Sequence, residues 1–182
     1  PEVRMKKCLA ALIGAALGGF ACAQIPIGPF LPNILENYDS QVLGVYTTLS
    51  TMGPWATTNP ITPGAQLHIV QNMTPTFLPP FNGNHAMVCW GGDVEWRFLV
   101  PIKRFGGYWR APQGIGSPPT AVQFKFYNTS NTLFFTSPAQ AISTTAWTWR
   151  GYWLFWATLR VEVIGIGGSG GFVGHDETRA RW

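Results

Sequence analysis

Charged side chains are scarce in this sequence. Only 11% of its residues are Asp, Glu, Lys or Arg, whereas charged residues make up about a quarter of an ordinary soluble domain. The net charge is +4 and the basic residues are scattered along the chain, which excludes the concentrated basic face of a nucleic-acid-binding protein. So few charges predict a surface that contacts something other than water: copies of the same subunit, glycan or a membrane.

Cysteine is equally rare. Of the three cysteines, Cys8 and Cys22 fall in the leader segment considered below, so Cys89 alone belongs to the remaining chain. An intrachain disulfide is therefore excluded there, even in an oxidising compartment. Cys89 lies in an apolar stretch, which predicts a small buried side chain; a disulfide between two molecules is the alternative.

Signatures of catalysis and of metal or cofactor binding are missing. The three histidines, His68, His85 and His175, complete no metal-ligand set with Cys89. Residues 165–170 match the spacing of a dinucleotide-binding loop, but too few residues follow for the helix and strand that such a site needs. We therefore expect no enzyme activity, no metal and no cofactor.

The first 23 residues have the anatomy of an export signal. Lys6 and Lys7 follow Met5, and an uncharged, mostly apolar run covers residues 8–18. Residues 21–23 then supply the small side chains that a signal peptidase requires. The apolar run is about 11 residues long, too short for a bilayer core that needs roughly 20.

Residues 1–23 are therefore predicted to be a signal peptide, with Met5 as the true start and Gln24 as the first mature residue. Two alternatives stay open: retention of the segment as an anchor or assembly helix, and acylation of Cys22 as in a lipoprotein. The leader predicts a secreted or cell-surface protein of bacterial origin. Its contact with a membrane would be through this leader, before cleavage.

Alternation of apolar and polar residues dominates the rest of the chain. Residues 94–102, 122–126 and 152–164 all show it, which is typical of half-buried strands. About eight such strands predict an all-β fold, a single antiparallel β-sandwich of the jelly-roll or immunoglobulin-like kind, over residues 41–164. The predicted core comprises Trp96, Phe98, Val100, Ile102, Val122, Phe124, Phe126, Trp153, Phe155, Leu159 and Val161.

The segments that flank this domain predict other kinds of structure. Residues 24–40 are apolar but contain three prolines, which predicts an extended arm rather than a central strand. Residues 165–182 are rich in glycine and predict a flexible tail. The arm's apolar residues are candidates for contact with a neighbouring subunit: Ile25, Ile27, Phe30, Leu31, Ile34 and Leu35.

Aromatic residues are in excess, with nine tryptophans, five tyrosines and twelve phenylalanines. Four of them fall on predicted outward faces or beside turns: Tyr108, Trp109, Tyr152 and Trp156. Exposed rings stack on sugars, and buried ones anchor protein interfaces. Three roles are open for these four rings: a subunit interface, a glycan-stacking surface, or contact with a second sheet packed over them.

The composition and the arm support two functional hypotheses. The first is an exported structural protein, a homopolymeric subunit of an extracellular filament or surface assembly whose arm adds a strand to a neighbour's sheet. In outline this resembles strand-donating fimbrial and archaeal bundling-pilus subunits. The alternative is a secreted, lectin-like carbohydrate-binding β-sandwich, in which Asp93, Arg110 and Arg150 would accompany the exposed rings.

Overall fold

The computed structural model describes residues 24–71, 80–90, 93–111, 117–168 and 173–182. These residues form thirteen strands and no helix, so no helix among them is long and apolar enough to cross a membrane. Every strand pair is antiparallel. The predicted all-β antiparallel fold is confirmed. The predicted signal peptide, residues 1–23, lies outside the described residues.

The strands are more numerous than the sequence pattern predicts because several are too short to show alternation. Their bounds are β1 Ile25–Pro26, β2 Ile34–Glu36, β3 Gly44–Tyr46, β4 Leu49–Thr51, β5 Ala56–Pro60, β6 Gln66–Gln71, β7 His85–Trp90, β8 Val94–Arg110, β9 Ala121–Asn128, β10 Leu133–Thr136, β11 Gln140–Ala141, β12 Thr148–Ile166 and β13 Val173–Arg181.

Two long strands, β8 and β12, belong to both sheets of the sandwich. In the first sheet, the second half of β12 pairs with β9 and the first half of β8 pairs with β5; β10 and β4 lie beyond them. In the second sheet, the first half of β12 pairs with the second half of β8, followed by β13, β7, β6 and β3. The hydrogen-bonded network is therefore continuous from one sheet to the other.

Irregular segments in both long strands mark the passage between the sheets. The β8–β12 ladder changes register between Trp153 and Thr158, and again between Thr158 and Arg160. Extra residues in a ladder invert the side-chain alternation that follows. As a result Leu154 and Val161, an even and an odd position, both point into the core.

This inversion overturns part of the predicted core. Trp153 and Phe155 are 42% and 54% exposed, so their predicted inward placement is wrong. The first half of β12 instead buries Tyr152 and Leu154. The other predicted core residues are buried, except Val100 and Leu159, which are half-buried.

An aromatic cluster fills the space between the sheets. Trp96 contacts Trp109 edge-on, with ring centroids 5.8 Å apart, and Phe124 lies 5.4 Å from Trp109. Trp109 and Tyr152 are buried here, so a second sheet does pack over them, as the third open role proposed. Strand β8 runs straight through Gly106 and Gly107 and carries Trp109 into the core.

The predicted arm and tail both belong to the sandwich. Strand β1 pairs with β12, and β2 pairs with β13, so the expected departure of the arm from its own domain is wrong. The open edges beside these two strands accept the arm, and Phe30 and Ile34 are buried in the process. The predicted flexible tail is likewise wrong for residues 173–181, which form strand β13 between β8 and β7.

Candidate functional site

Tryptophan rings and glycines face each other on the outer side of the second sheet. Gly106 and Gly151 lie opposite one another on β8 and β12. A Cβ atom built on them would approach Trp149 Cζ2 to 2.7 and 3.0 Å respectively. The indole of Trp149 therefore lies flat on the backbone of two glycines, an approach that any larger residue would prevent.

The N-terminal arm holds Trp149 in this position. Its indole N–H donates to the Ile27 carbonyl at 2.7 Å, and Phe30 packs edge-on against its ring at a centroid distance of 5.9 Å. The Arg179 guanidinium lies 5.6 Å from the same ring and donates to the Phe30 carbonyl. Trp149 thus fastens the arm to the sheet rather than presenting a free ring.

Two further rings on this side of the sheet each pack against another side chain. Phe81 stacks in parallel on Tyr108, with centroids 3.5 Å apart and an interplanar angle of 15°. The Arg110 guanidinium lies 5.4 Å from the centre of the Trp147 ring. Tyr108 and Arg110 are two residues apart on β8, so the two stacks lie about 7 Å apart along the strand. We call Phe81, Tyr108, Trp147 and Arg110 the paired-ring surface.

The rings of this surface are open to different degrees. Phe81 is 43% exposed, while Tyr108 and Trp147 are half-buried. Each half-buried ring therefore keeps part of its surface accessible although its neighbours fix its orientation. Rigid, partly exposed aromatic rings present flat apolar area with little entropy left to lose on binding.

Arg110 is a buried cation with unused hydrogen-bonding capacity. The residue is only 3% exposed, its Nη2 donates to the Thr144 carbonyl at 3.1 Å, and its Nε has no partner. Among the described residues it forms no ion pair with a carboxylate. Burial lowers its pKa to about 10, so the guanidinium stays protonated at neutral pH.

A short loop ahead of β7 positions Phe81. The Asp39 carboxylate accepts the backbone N–H groups of Asn84 and His85, at 2.6 and 2.9 Å. Gly83, immediately before Asn84, adopts a left-handed conformation, with φ of 73°. A Cβ at Gly83 would overlap the Asp39 carboxylate, so glycine is required both for the turn and for the contact.

The same loop is tied to β13. The Asn82 N–H donates to Asp176 Oδ2 at 3.1 Å, and its side-chain amide donates to Glu177 Oε1 at 2.6 Å. Asp176 lies opposite Tyr108 on the neighbouring strand. Burial raises the pKa of Asp176 to about 7, because the charged form loses hydration that the backbone N–H groups replace only in part.

The structure scatters the predicted site residues. Tyr108 lies on the paired-ring surface and Trp156 is exposed elsewhere, at the passage of β12 between the sheets. Trp109 and Tyr152 lie in the core and present no face to a ligand.

The three polar residues proposed to accompany the rings, Asp93, Arg110 and Arg150, also lie apart in the structure. Arg110 lies beside Trp147. In contrast, Asp93 accepts the Gly165 N–H, and Arg150 donates to the Trp149 and Ala141 carbonyls. Only Arg110 therefore joins the paired-ring surface.

Sequence reasoning missed Phe81 and Trp147. Phe81 lies in a loop of proline, glycine and asparagine, without strand periodicity. Trp147 had a signal, since it lies two residues before Trp149 and so shares its face of a strand. Within the described ranges, no group of three His, Cys, Asp or Glu side chains is arranged to hold a metal.

Comparison with known proteins identifies similar folds. No protein-family model matches the sequence, and no curated protein matches it either. The K2 cleaved adhesin domain of Lys-gingipain is 12% identical, with a TM-score of 0.56 over 81% of this chain and 98% of that one. The CBM22-1 xylan-binding domain of Xyn10C from Paenibacillus barcinonensis is 10% identical, with a TM-score of 0.51 over 85% and 97%. These likenesses establish a shared β-sandwich fold.

Proposed function

We propose that this domain binds carbohydrate, with sugar rings stacking on the paired-ring surface. The observation that carries the proposal is the pair of backed rings, Phe81 on Tyr108 and Trp147 on Arg110. Sugar rings have apolar faces that stack on aromatic rings. The arrangement supplies two such stacking positions about one strand repeat apart, and the buried Arg110 guanidinium holds Trp147 in place.

The similar folds support this reading over a filament subunit. One neighbour is described as a xylan-binding domain and the other as an adhesin domain, and the proposal extends attachment to glycan to the present chain. The filament hypothesis depended on an arm free to join another subunit. Here β1 and β2 pair within their own chain, which removes that motive.

We propose binding without cleavage. Glycoside hydrolysis needs two carboxyl groups on either side of the bond, roughly 5–10 Å apart. Among the described residues, Asp176 is the acid that lies in register with the paired-ring surface. It is buried and accepts backbone N–H groups from Asn82 and Glu177, so it serves to hold the loop.

Affinity electrophoresis and calorimetry with soluble xylan and a panel of other neutral polysaccharides test the proposal. We expect Phe81→Ala and Trp147→Ala each to weaken binding about tenfold or more, as removal of a central aromatic anchor does. Phe155→Ala and Trp156→Ala are matched controls, since both remove exposed rings away from this surface. They should bind like the parent protein.

Two results would contradict the proposal. One is the absence of binding to every polysaccharide in the panel by a folded parent protein. The other is binding that survives both paired-ring substitutions but is lost in the two controls, which would move the ligand to the other aromatic region.

A further inference from the structure

Exposed apolar side chains gather where β8 and β12 pass from one sheet to the other. The irregular residues 154–157 of β12 lie there opposite Lys103 of β8, between the pairs Trp153–Arg104 and Thr158–Ile102. Large apolar side chains project from this corner of the sandwich, although burial would be expected for them. We call the set the corner patch: Trp153 (42% exposed), Phe155 (54% exposed) and Trp156 (56% exposed).

Three basic residues adjoin the corner patch. The Lys103 ammonium donates to the Phe155 carbonyl at 2.9 Å. Arg104 lies in register with Trp153 on one side and with Arg181 on the other. Within the described part of the chain, none of the three cations forms an ion pair with a carboxylate.

None of the acidic side chains among the described residues is exposed at the surface. Every acid from residue 24 onward is buried or half-buried: Glu36, Asp39, Asp93, Glu95, Glu162, Asp176 and Glu177. Glu95 and Glu162 are bound by Arg160, and Glu177 by Arg179. The field outside the corner therefore comes from the basic residues with little opposition.

The N-terminal segment joins the domain at this corner. The side-chain oxygen of Gln24 accepts the Phe155 N–H at 2.8 Å, and Ile25 lies in register with Trp153. Residues 1–23, with their apolar run, connect directly to Gln24. Any attachment of that segment to a membrane, before cleavage or without it, would bring the corner patch to the bilayer surface.

We propose that the corner patch docks on the surface of an anionic lipid bilayer. Tryptophan and phenylalanine rings would occupy the boundary between headgroups and acyl chains, where amphipathic aromatic rings partition. Lys103, Arg104 and Arg181 would face the lipid phosphates. This inference is independent of the proposed glycan binding, which uses another part of the second sheet.

The charge pattern favours a lipid surface over other occupants. A second copy of the chain in a two-fold contact would place the same three cations against each other. An acidic polysaccharide would satisfy the cations and could stack on the rings, but it would leave the position of this corner beside the N-terminal segment without a role. A lipid headgroup layer accommodates both kinds of side chain at once.

Vesicle sedimentation tests the proposal on the full chain and on the mature protein. The probes are vesicles of phosphatidylglycerol mixed with phosphatidylcholine, and vesicles of phosphatidylcholine alone, at low ionic strength. We expect partitioning to the anionic vesicles only. The double substitution Lys103→Glu with Arg181→Glu should lower the partition coefficient at least about 25-fold, at about fivefold for each charge removed.

Trp156→Ser separates the apolar contribution, and should lower partitioning about tenfold at unchanged charge. Trp147→Ala is the control, and should bind vesicles like the parent protein. Circular dichroism of each variant confirms the fold, which is expected to survive because Lys103, Trp156 and Arg181 are exposed and Trp147 is half-buried.

Several outcomes would overturn the inference. Equal binding to both vesicle types, no binding to anionic vesicles, or binding unaffected by either corner variant would each do so. A dimer that Trp156→Ser dissociates would assign the patch to a second copy. Retention on a soluble acidic polysaccharide without vesicle binding would assign it to glycan.

Discussion

The outer faces of the two sheets use their polar side chains in opposite ways. On the first sheet, Glu95 pairs with Arg97 and Arg160, and Glu162 pairs with Arg160 and accepts the Tyr127 hydroxyl. On the second sheet Arg179 pairs with Glu177, but Arg110 is buried with no carboxylate partner among the described residues, beside rings that rest on backbone or on each other. Every cation named on the first face has a carboxylate partner, whereas in the described ranges Arg110 on the second face has none.

The same two strands produce both faces. The first-sheet half of β8 carries Glu95 and Arg97, and its second-sheet half carries Tyr108 and Arg110. Strand β12 likewise carries Arg160 and Glu162 in one half, and Trp149 in the other. The contrast between the faces therefore depends on which side chains each half of these two strands directs outward.

The largest effect is expected from Gly106→Ala on the second face. The new Cβ would lie 2.7 Å from Trp149 Cζ2 and 2.8 Å from the Gly151 Cα atom, so the ring and the neighbouring strand must both move. We expect a loss of about 3 kcal/mol in the free energy of unfolding, typical of overpacking, measured by urea denaturation.

Gly28→Ala is the matched control for this substitution. Gly28 lies in the arm and has no atom within 4 Å of the added Cβ, so its effect should be near zero. Equal stability of the two variants would show that Trp149 does not rest tightly on the glycines.

An intermediate effect is expected from Glu162→Gln on the first face. The substitution removes the carboxylate that binds Arg160 and accepts the Tyr127 hydroxyl. A lost charge-assisted hydrogen bond in a buried position costs about 2 kcal/mol. Lys125→Met is the comparison, because the Lys125 ammonium lies 3.9 Å from Glu162 and is more exposed; it should cost less than about 1 kcal/mol.

Urea denaturation of these two variants, at low and moderate salt, measures the two losses in the free energy of unfolding. If Lys125→Met costs as much as Glu162→Gln, the first face is stabilised by a diffuse attraction of charges rather than by the buried contacts. The contrast between the faces would then be one of net charge alone.

The smallest effect concerns pH, and comes from two adjacent buried residues of β13. Burial raises the pKa of Asp176 to about 7. Between about pH 4 and 7 the folded protein therefore holds a proton that the unfolded chain has lost, so this group makes stability fall as pH rises.

Burial lowers the pKa of His175 to about 3. Below about pH 6.5 the unfolded chain binds a proton at this histidine that the folded protein does not bind. Because of this group, the free energy of unfolding falls as pH falls.

The two contributions oppose each other between about pH 4.5 and 6.5, and single substitutions should separate them. Relative to the parent, Asp176→Asn should gain stability as pH rises through this window, by at most about 1.4 kcal/mol per pH unit. His175→Gln should show the opposite slope. Urea denaturation at several pH values measures both differences, and parallel profiles for parent and variants would contradict the assigned ionisation states.

Sequence alternation predicted the strand faces correctly wherever a strand is regular and one-sided. Residues Trp96, Phe98, Phe124 and Phe126 are all buried as expected. The prediction failed at residues 153–156, where every side chain is apolar. Alternation carries no information there, and the change of register is invisible.

Strand β13 was missed for a different reason. Its buried residues include His175, Asp176 and Thr178, which have no apolar pattern. Their burial depends on partners far away in the sequence: Tyr38 bonds His175 and Thr178, and Asn82 bonds Asp176. A single sequence does not reveal such pairings. Phe81 escaped prediction because its loop has no periodic pattern, whereas Tyr108 and Arg110 lie on a regular strand.

The sharing of β8 and β12 between the sheets has a consequence for how the chain folds. Their ladder joins Trp109 to Thr148 and Val94 to Val163, contacts between residues distant in sequence, and such contacts slow folding because a long loop must close first. Neither sheet has its central strands until this ladder forms. We therefore expect a slow, single-step folding reaction, with the β8–β12 ladder in its transition state and no stable fragment that contains one sheet alone.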